Sequence, residues 1–76
     1  MPELLAQIIR NIVDNPAEVR VVPVNTERAL VMSVTVAPDD VGKVIGKQGR
    51  IARALRSIVR ASGARAEERY LLEIAD

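Results

Sequence analysis

The chain has 76 residues, 49% of them hydrophobic, with eleven Lys and Arg against ten Asp and Glu and neither Cys nor His. That length predicts one domain over residues 1–76, whose core supplies only a few kcal/mol of net stability unless a partner subunit adds to it. Without Cys or His there is no disulfide and none of the usual zinc, iron or copper ligands, so no metal or cofactor is expected.

Residues 3–13 place Leu4, Leu5, Ile8, Ile9, Ile12 and Val13 on one helical stripe, opposite Glu3, Gln7, Arg10 and Asn11, and Pro2 suits the first turn. Asp14-Asn15-Pro16 stops that helix. Residues 19–25 read as a strand that Pro23 pushes to a sheet edge, since proline cannot donate to a ladder. After a polar turn from Asn25 to Arg28, residues 29–37 alternate Leu30, Met32, Val34 and Val36 against Val31, Ser33 and Thr35, the period of a strand with one face on the core. Pro38-Asp39-Asp40 breaks this strand and offers carboxylate caps to a short helix over about 40–46.

The loop Gly46 to Gly49 leads into the most amphipathic element, a helix over about 50–61. At about 100° per residue from Arg50, Arg53, Arg56 and Arg60 fall near 300°, 240° and 280°, while Ile51, Leu55, Ile58 and Val59 lie between about 80° and 180°. Ser62-Gly63 predicts its C-terminal stop. Residues 69–75 then alternate Tyr70, Leu72 and Ile74 against Leu71 and Glu73, a third strand. The predicted order is α-β-β-α-α-β.

Charge is unevenly distributed. Between Asp40 and Glu67 there is no acid, while Lys43, Lys47, Arg50, Arg53, Arg56, Arg60 and Arg65 make residues 41–66 +7. The remaining fifty residues set four arginines against all ten acids, a net of −6. A solvated helix face ordinarily mixes signs and gains from i,i+4 pairs. Four arginines without an acid repel one another unless an anion is to be held.

That anion fits the loop. Glycine lacks Cβ and lets backbone approach a phosphate, and the helix start near Gly49 and Arg50 directs free N–H groups at the same place. Lys47 and Gln48 add a charge and a neutral donor, and Arg50 and Arg53 extend the positive track. Other glycine motifs fail: a P-loop needs four residues between its glycines and a Ser or Thr after the Lys, and a dinucleotide fingerprint needs a third glycine after a strand. Ser33, Ser57 and Ser62 have no His to activate them, so the chain is not expected to be an enzyme. Tyr70 is the only aromatic residue, which removes base stacking on aromatic platforms.

With these residues in place, Val44-Ile45-Gly46-Lys47-Gln48-Gly49-Arg50-Ile51 closely resembles the I-G-x-x-G signature of KH domains, and the element order resembles the prokaryotic, type II form. The likeness covers essentially the whole chain. It implies an α+β fold with a three-stranded mixed sheet, 29–37 central, parallel to 69–75 and antiparallel to 19–25, with the helices packed on one face. It also implies that Gly46, Lys47, Gln48 and Gly49 clamp the backbone of about four single-stranded nucleotides. Lys43, Ile45, Arg50 and Arg53 complete the expected RNA-binding set, with Val44, Ile45, Ile51 and Leu55 as candidates for an aliphatic groove and the core beneath it.

Small bacterial single-domain proteins of this family further imply a homodimer, pairing with a larger KH-containing protein, and a post-transcriptional or RNA-chaperone role linked to cell shape. No membrane-spanning run and no secretory leader are recognised, which places the expectation in the cytoplasm. The expected partner is single-stranded RNA rather than a small-molecule substrate. The alternative is a dimerisation or docking subunit for which RNA binding is auxiliary.

Overall fold

A computed structural model describes residues 1–75. The first helix, α1 (Pro2–Arg10), buries Leu5, Ala6 and Ile9. It is shorter than the apolar stripe predicts: Asn11 caps it, its N–H bonding the Ile8 carbonyl at 3.2 Å, while the Ile9 carbonyl accepts from the N–H groups of Ile12 and Val13. A turn carries Ile12 and Val13 on, half-buried. Leu4 is 54% exposed, because Leu5 and Ile9 define the centre of the buried stripe and Leu4 lies beyond its edge.

A 3-10 turn (Pro16–Glu18) leads through buried Val19 into strand β1 (Arg20–Asn25). Thr26 closes the hairpin: its Oγ1 accepts from the N–H groups of Arg28 and Ala29 and donates to the Ala29 carbonyl at 2.8 Å. Strand β2 (Leu30–Thr35) pairs antiparallel with β1, with Pro23 opposite Met32. β2 also pairs in parallel with β3 (Tyr70–Ile74), setting Met32 beside Leu72. The sheet order β1-β2-β3 leaves Pro23 on an edge strand and makes the most regularly alternating segment the centre.

The alternation of β2 is realised in burial. Met32, Val34 and, just beyond the strand, Val36 are buried, Val31 and Ser33 are half-buried, and Thr35 is exposed. The buried set packs with Leu5 and Ile9 of α1 and with Val44, Leu55 and Val59 of the later helices. Full burial of each of these aliphatic side chains is worth about 1.5–3 kcal/mol. Tyr70, Leu72 and Ile74 lie against the same cluster, so the helices cover one face of the sheet.

After a 3-10 turn (Pro38–Asp40), the short helix α2 (Val41–Ile45) and a tight turn lead to α3 (Arg50–Arg65). Two expectations need correction. Asp40 occupies the N-cap position of α2 but makes no capping bond there; its carboxylate turns back to residues 14 and 15. The second concerns Gly63, which does not end α3. The helix runs past it to Arg65, and a Cβ on Gly63 would stand 2.7 Å from the Glu68 carbonyl oxygen and 2.9 Å from the Tyr70 nitrogen. Its hydrogen atom is what lets the start of β3 close against α3, a packing role that outweighs the roughly 1 kcal/mol helix penalty of glycine. The reversal comes at Ala66 to Glu68, with Glu67 at φ +57° and the Glu68 N–H bonded to the Gly63 carbonyl at 2.8 Å.

Candidate nucleic-acid interface

The joint between α2 and α3 is built from backbone constraints. The Gly46 N–H closes α2 onto the Gly42 carbonyl at 2.8 Å, and Gly46 itself sits at φ +77°, ψ 174°, a region essentially reserved for glycine. A Cβ there would also lie 2.7 Å from Cγ1 of Ile51. Lys47–Gly49 form one tight turn in which the Gly49 N–H bonds the Gly46 carbonyl at 3.1 Å. Gln48 (φ +57°, ψ 25°) and Gly49 (φ +74°, ψ 15°) are both left-handed, which reverses the chain. Holding Gln48 there costs on the order of 1–2 kcal/mol.

Lys47, Gln48 and Arg50 are exposed on this turn. Gly49 is the N-cap of α3 and provides no side-chain cap; the Lys47 carbonyl takes the N–H at Arg50, and the N–H groups that follow in the first turn of this 16-residue helix are left to other acceptors. Arg53 follows one turn along α3, also exposed. The structure therefore gathers Gly46, Lys47, Gln48, Gly49, Arg50 and Arg53 at one corner.

The aliphatic candidates separate. Val44 and Leu55 are core, Ile51 is half-buried beneath Gly46, and Ile45 is 36% exposed beside the turn. Gly42, also exposed on α2, has open space where a Cβ would project, so the surface next to Ile45 is bare. The spacing alone had not distinguished Gly42.

Lys43 stands apart from the other cations. Its Nζ forms an ion pair with the Asp14 carboxylate and lies 4.0 Å from Oδ1 of Asp40. The hydrogen bond to Asp14, partly opposed by desolvation, raises its pKa above 10.5. Asp40 is buried and accepts from the Asp14 N–H at 3.1 Å, the Asn15 N–H at 3.0 Å and Asn15 Nδ2 at 3.0 Å. Burial alone would push this carboxyl up. The Asn15 side chain, the two backbone donors and the Lys43 charge prevail and hold it below 3.8. Lys43 thus belongs to a latch between α2 and the α1–β1 connection. Nothing in the spacing of residues 14, 15 and 40 announces that contact.

Among the described residues, both ion pairs involve Lys43, so the five arginines of α3 are without an acidic partner there. Also among the described residues, no three acidic side chains come together to hold a metal ion, and no helix is long and apolar enough to cross a membrane.

Comparison with known proteins gives a consistent pattern. The family model described as "KhpA/KhpB, KH domain" matches residues 2–74. The chain is similar to the RNA-binding protein KhpA of Treponema pallidum, 51% identical over 74 residues that cover 97% of this chain and 92% of that one. It is 45% identical to the RNA-binding protein KhpA of Clostridium acetobutylicum, over 97% and 99% of the two chains. With the RNA-binding protein KhpA of Listeria monocytogenes the figure is 41%, over the full length of both. No solved structure gives a significant match.

Proposed function

The chain belongs to the KhpA/KhpB KH-domain family, and on that premise we propose that it is a non-enzymatic, single-stranded RNA-binding module that grips the sugar-phosphate backbone at the Gly46–Gly49 turn. The observation that carries this reading is the turn itself: backbone that only glycine permits at Gly46, with exposed Lys47 and Gln48 and an uncapped helix start beside it. The relatives named RNA-binding proteins support the same ligand class.

In this reading Lys47 and Arg50 neutralise phosphates and Gln48 donates a neutral hydrogen bond. N–H groups at the start of α3 approach closely because Gly49 carries no side chain. The bare surface at Gly42 and Ile45 receives a base without aromatic stacking. Arg53 meets the next phosphate. Lys43 contributes mainly by fixing α2.

The reading extends to a bacterial RNA chaperone or post-transcriptional regulator, acting in the cytoplasm as a homodimer or with a KhpB-like partner. A family model that spans both KhpA and KhpB supports such pairing. One four-nucleotide grip offers few contacts, and two linked sites raise avidity through effective concentration. A docking subunit is the second reading, favoured by the exposed apolar side chains of Leu4 on α1 and of Val22 and Val24 on β1.

The test is binding of short single-stranded RNA to the wild type and to a Lys47→Asp, Gln48→Asp double variant, across a salt series. Binding that weakens with salt in the wild type and is lost in the folded variant supports the clamp. Equal affinity of the two proteins overturns it in favour of docking.

A further inference from the structure

The arginines of α3 continue well past the turn, and a four-nucleotide clamp that uses Arg50 and Arg53 leaves Arg56 and Arg60 without a task. Arg53, Arg56 and Arg60 project on one side of the helix, all exposed and none with an acidic partner among the described residues. From Arg53, the last cation of the clamp, to Arg60 the helix rises about 10 Å, which matches about three further stacked nucleotides at about 3.4 Å per step. On the open side of this row Ser57 and Ala64 are small and exposed. The Ser57 hydroxyl is turned onto the Arg53 carbonyl at 3.1 Å, so neither residue obstructs a strand.

The row has a defined end. Arg60 and Ala64 line a depression at the C-terminal end of α3, whose other lining residues, Glu67 to Leu71, follow the helix and include two carboxylates and Arg69. A phosphate carried past Arg60 meets the negative charge of Glu67 and Glu68. The favourable track begins at the turn and closes near Arg60.

We infer that the RNA strand leaves the Gly46–Gly49 clamp along α3, with Arg56 and Arg60 holding phosphates of the flanking nucleotides, so that the binding footprint is about seven nucleotides rather than the roughly four of the clamp. This inference rests on the RNA-binding reading above. It assigns Arg56 and Arg60 to affinity for length rather than to the grip.

The experiment compares single-stranded RNAs of about 5 and about 10 nucleotides on the wild type, Arg56→Gln/Arg60→Gln, Arg56→Lys/Arg60→Lys, and Lys47→Asp/Gln48→Asp, with folding checked by thermal melting. The wild type binds the longer RNA more tightly and with a steeper salt dependence. In Arg56→Gln/Arg60→Gln that gain disappears: the slope of log K against log salt falls by about 1.4 on the longer RNA, two contacts at about 0.7 each, and stays unchanged on the shorter one. The lysine variant keeps most of the gain, and Lys47→Asp/Gln48→Asp loses both lengths. Wild-type affinity of the glutamine variant for the longer RNA overturns the proposal, as does an equal loss on both lengths. A wild type that binds neither RNA overturns the clamp reading, and this inference with it.

Discussion

Asn15 and Asp40, twenty-five residues apart, share a single oxygen: the backbone N–H and the Nδ2 group of Asn15 both reach Oδ2 of Asp40 at 3.0 Å. That relationship joins the end of the α1 connection to the residue that starts α2, and α2 in turn positions the glycine turn. The carboxylate is buried, so its donors would be left unpaired if it were removed. Asp40→Ala is expected to lower the midpoint of urea denaturation substantially, and Asp40→Asn by less, since the amide keeps one acceptor.

The same carboxyl makes the fold acid-sensitive. Its folded pKa lies below 3.8, so as pH falls the unfolded chain takes up the proton first. The stabilisation is complete above about pH 5 and drains away below about pH 4. Denaturation midpoints measured from pH 7 to pH 3 should fall at the acid end in the wild type and fall less in Asp40→Asn. Parallel curves for the two proteins would remove Asp40 from the account.

Gly46 and Gly49 are constrained differently. Gly46→Ala meets both a forbidden backbone region and a 2.7 Å approach to Ile51, whereas Gly49 has open space and only a left-handed φ to satisfy. Alanine at Gly46 should cost about 2–4 kcal/mol and at Gly49 about 1 kcal/mol, read from chemical denaturation. Equal effects would contradict the contact with Ile51.

Two helical glycines should respond with opposite sign. Gly42→Ala, in open space, gains helix propensity and stabilises by about 0.5–1 kcal/mol. At Gly63, alanine pushes against the Glu68 carbonyl and Tyr70 nitrogen and destabilises by about 1–3 kcal/mol despite the same propensity gain. Thermal melts of the two variants decide the matter.

Lys43 and Lys47 separate structure from binding. Lys43→Gln is expected to lower stability while leaving the salt dependence of RNA binding close to that of the wild type, because its charge is engaged with Asp14 and Asp40. Lys47→Gln should do the reverse, with the slope reduced by about 0.7.

Much of this was legible from residue order. Alternation in 29–37 identified the central strand, and Pro23 placed its neighbour at an edge. The acid-free stretch and the paired glycines located the candidate turn. Contacts between distant residues were not legible: Gly63 reads as a helix stop until the start of β3 is seen resting on it, and Asp40 reads as a cap until Asp14 and Asn15 are seen to use its oxygens. Helical and strand periodicity report which face is apolar. They carry no information about which backbone atom another segment brings within 3 Å.

The most direct test of the central claim is an amide NMR titration of the wild-type protein with a short single-stranded RNA. The account predicts that the largest shifts fall on Gly46 through Arg50, with smaller ones at Gly42 and Ile45, and none on the sheet face bearing Val22 and Val24. Shifts concentrated on Val22 and Val24, with the glycine turn unmoved, would contradict it.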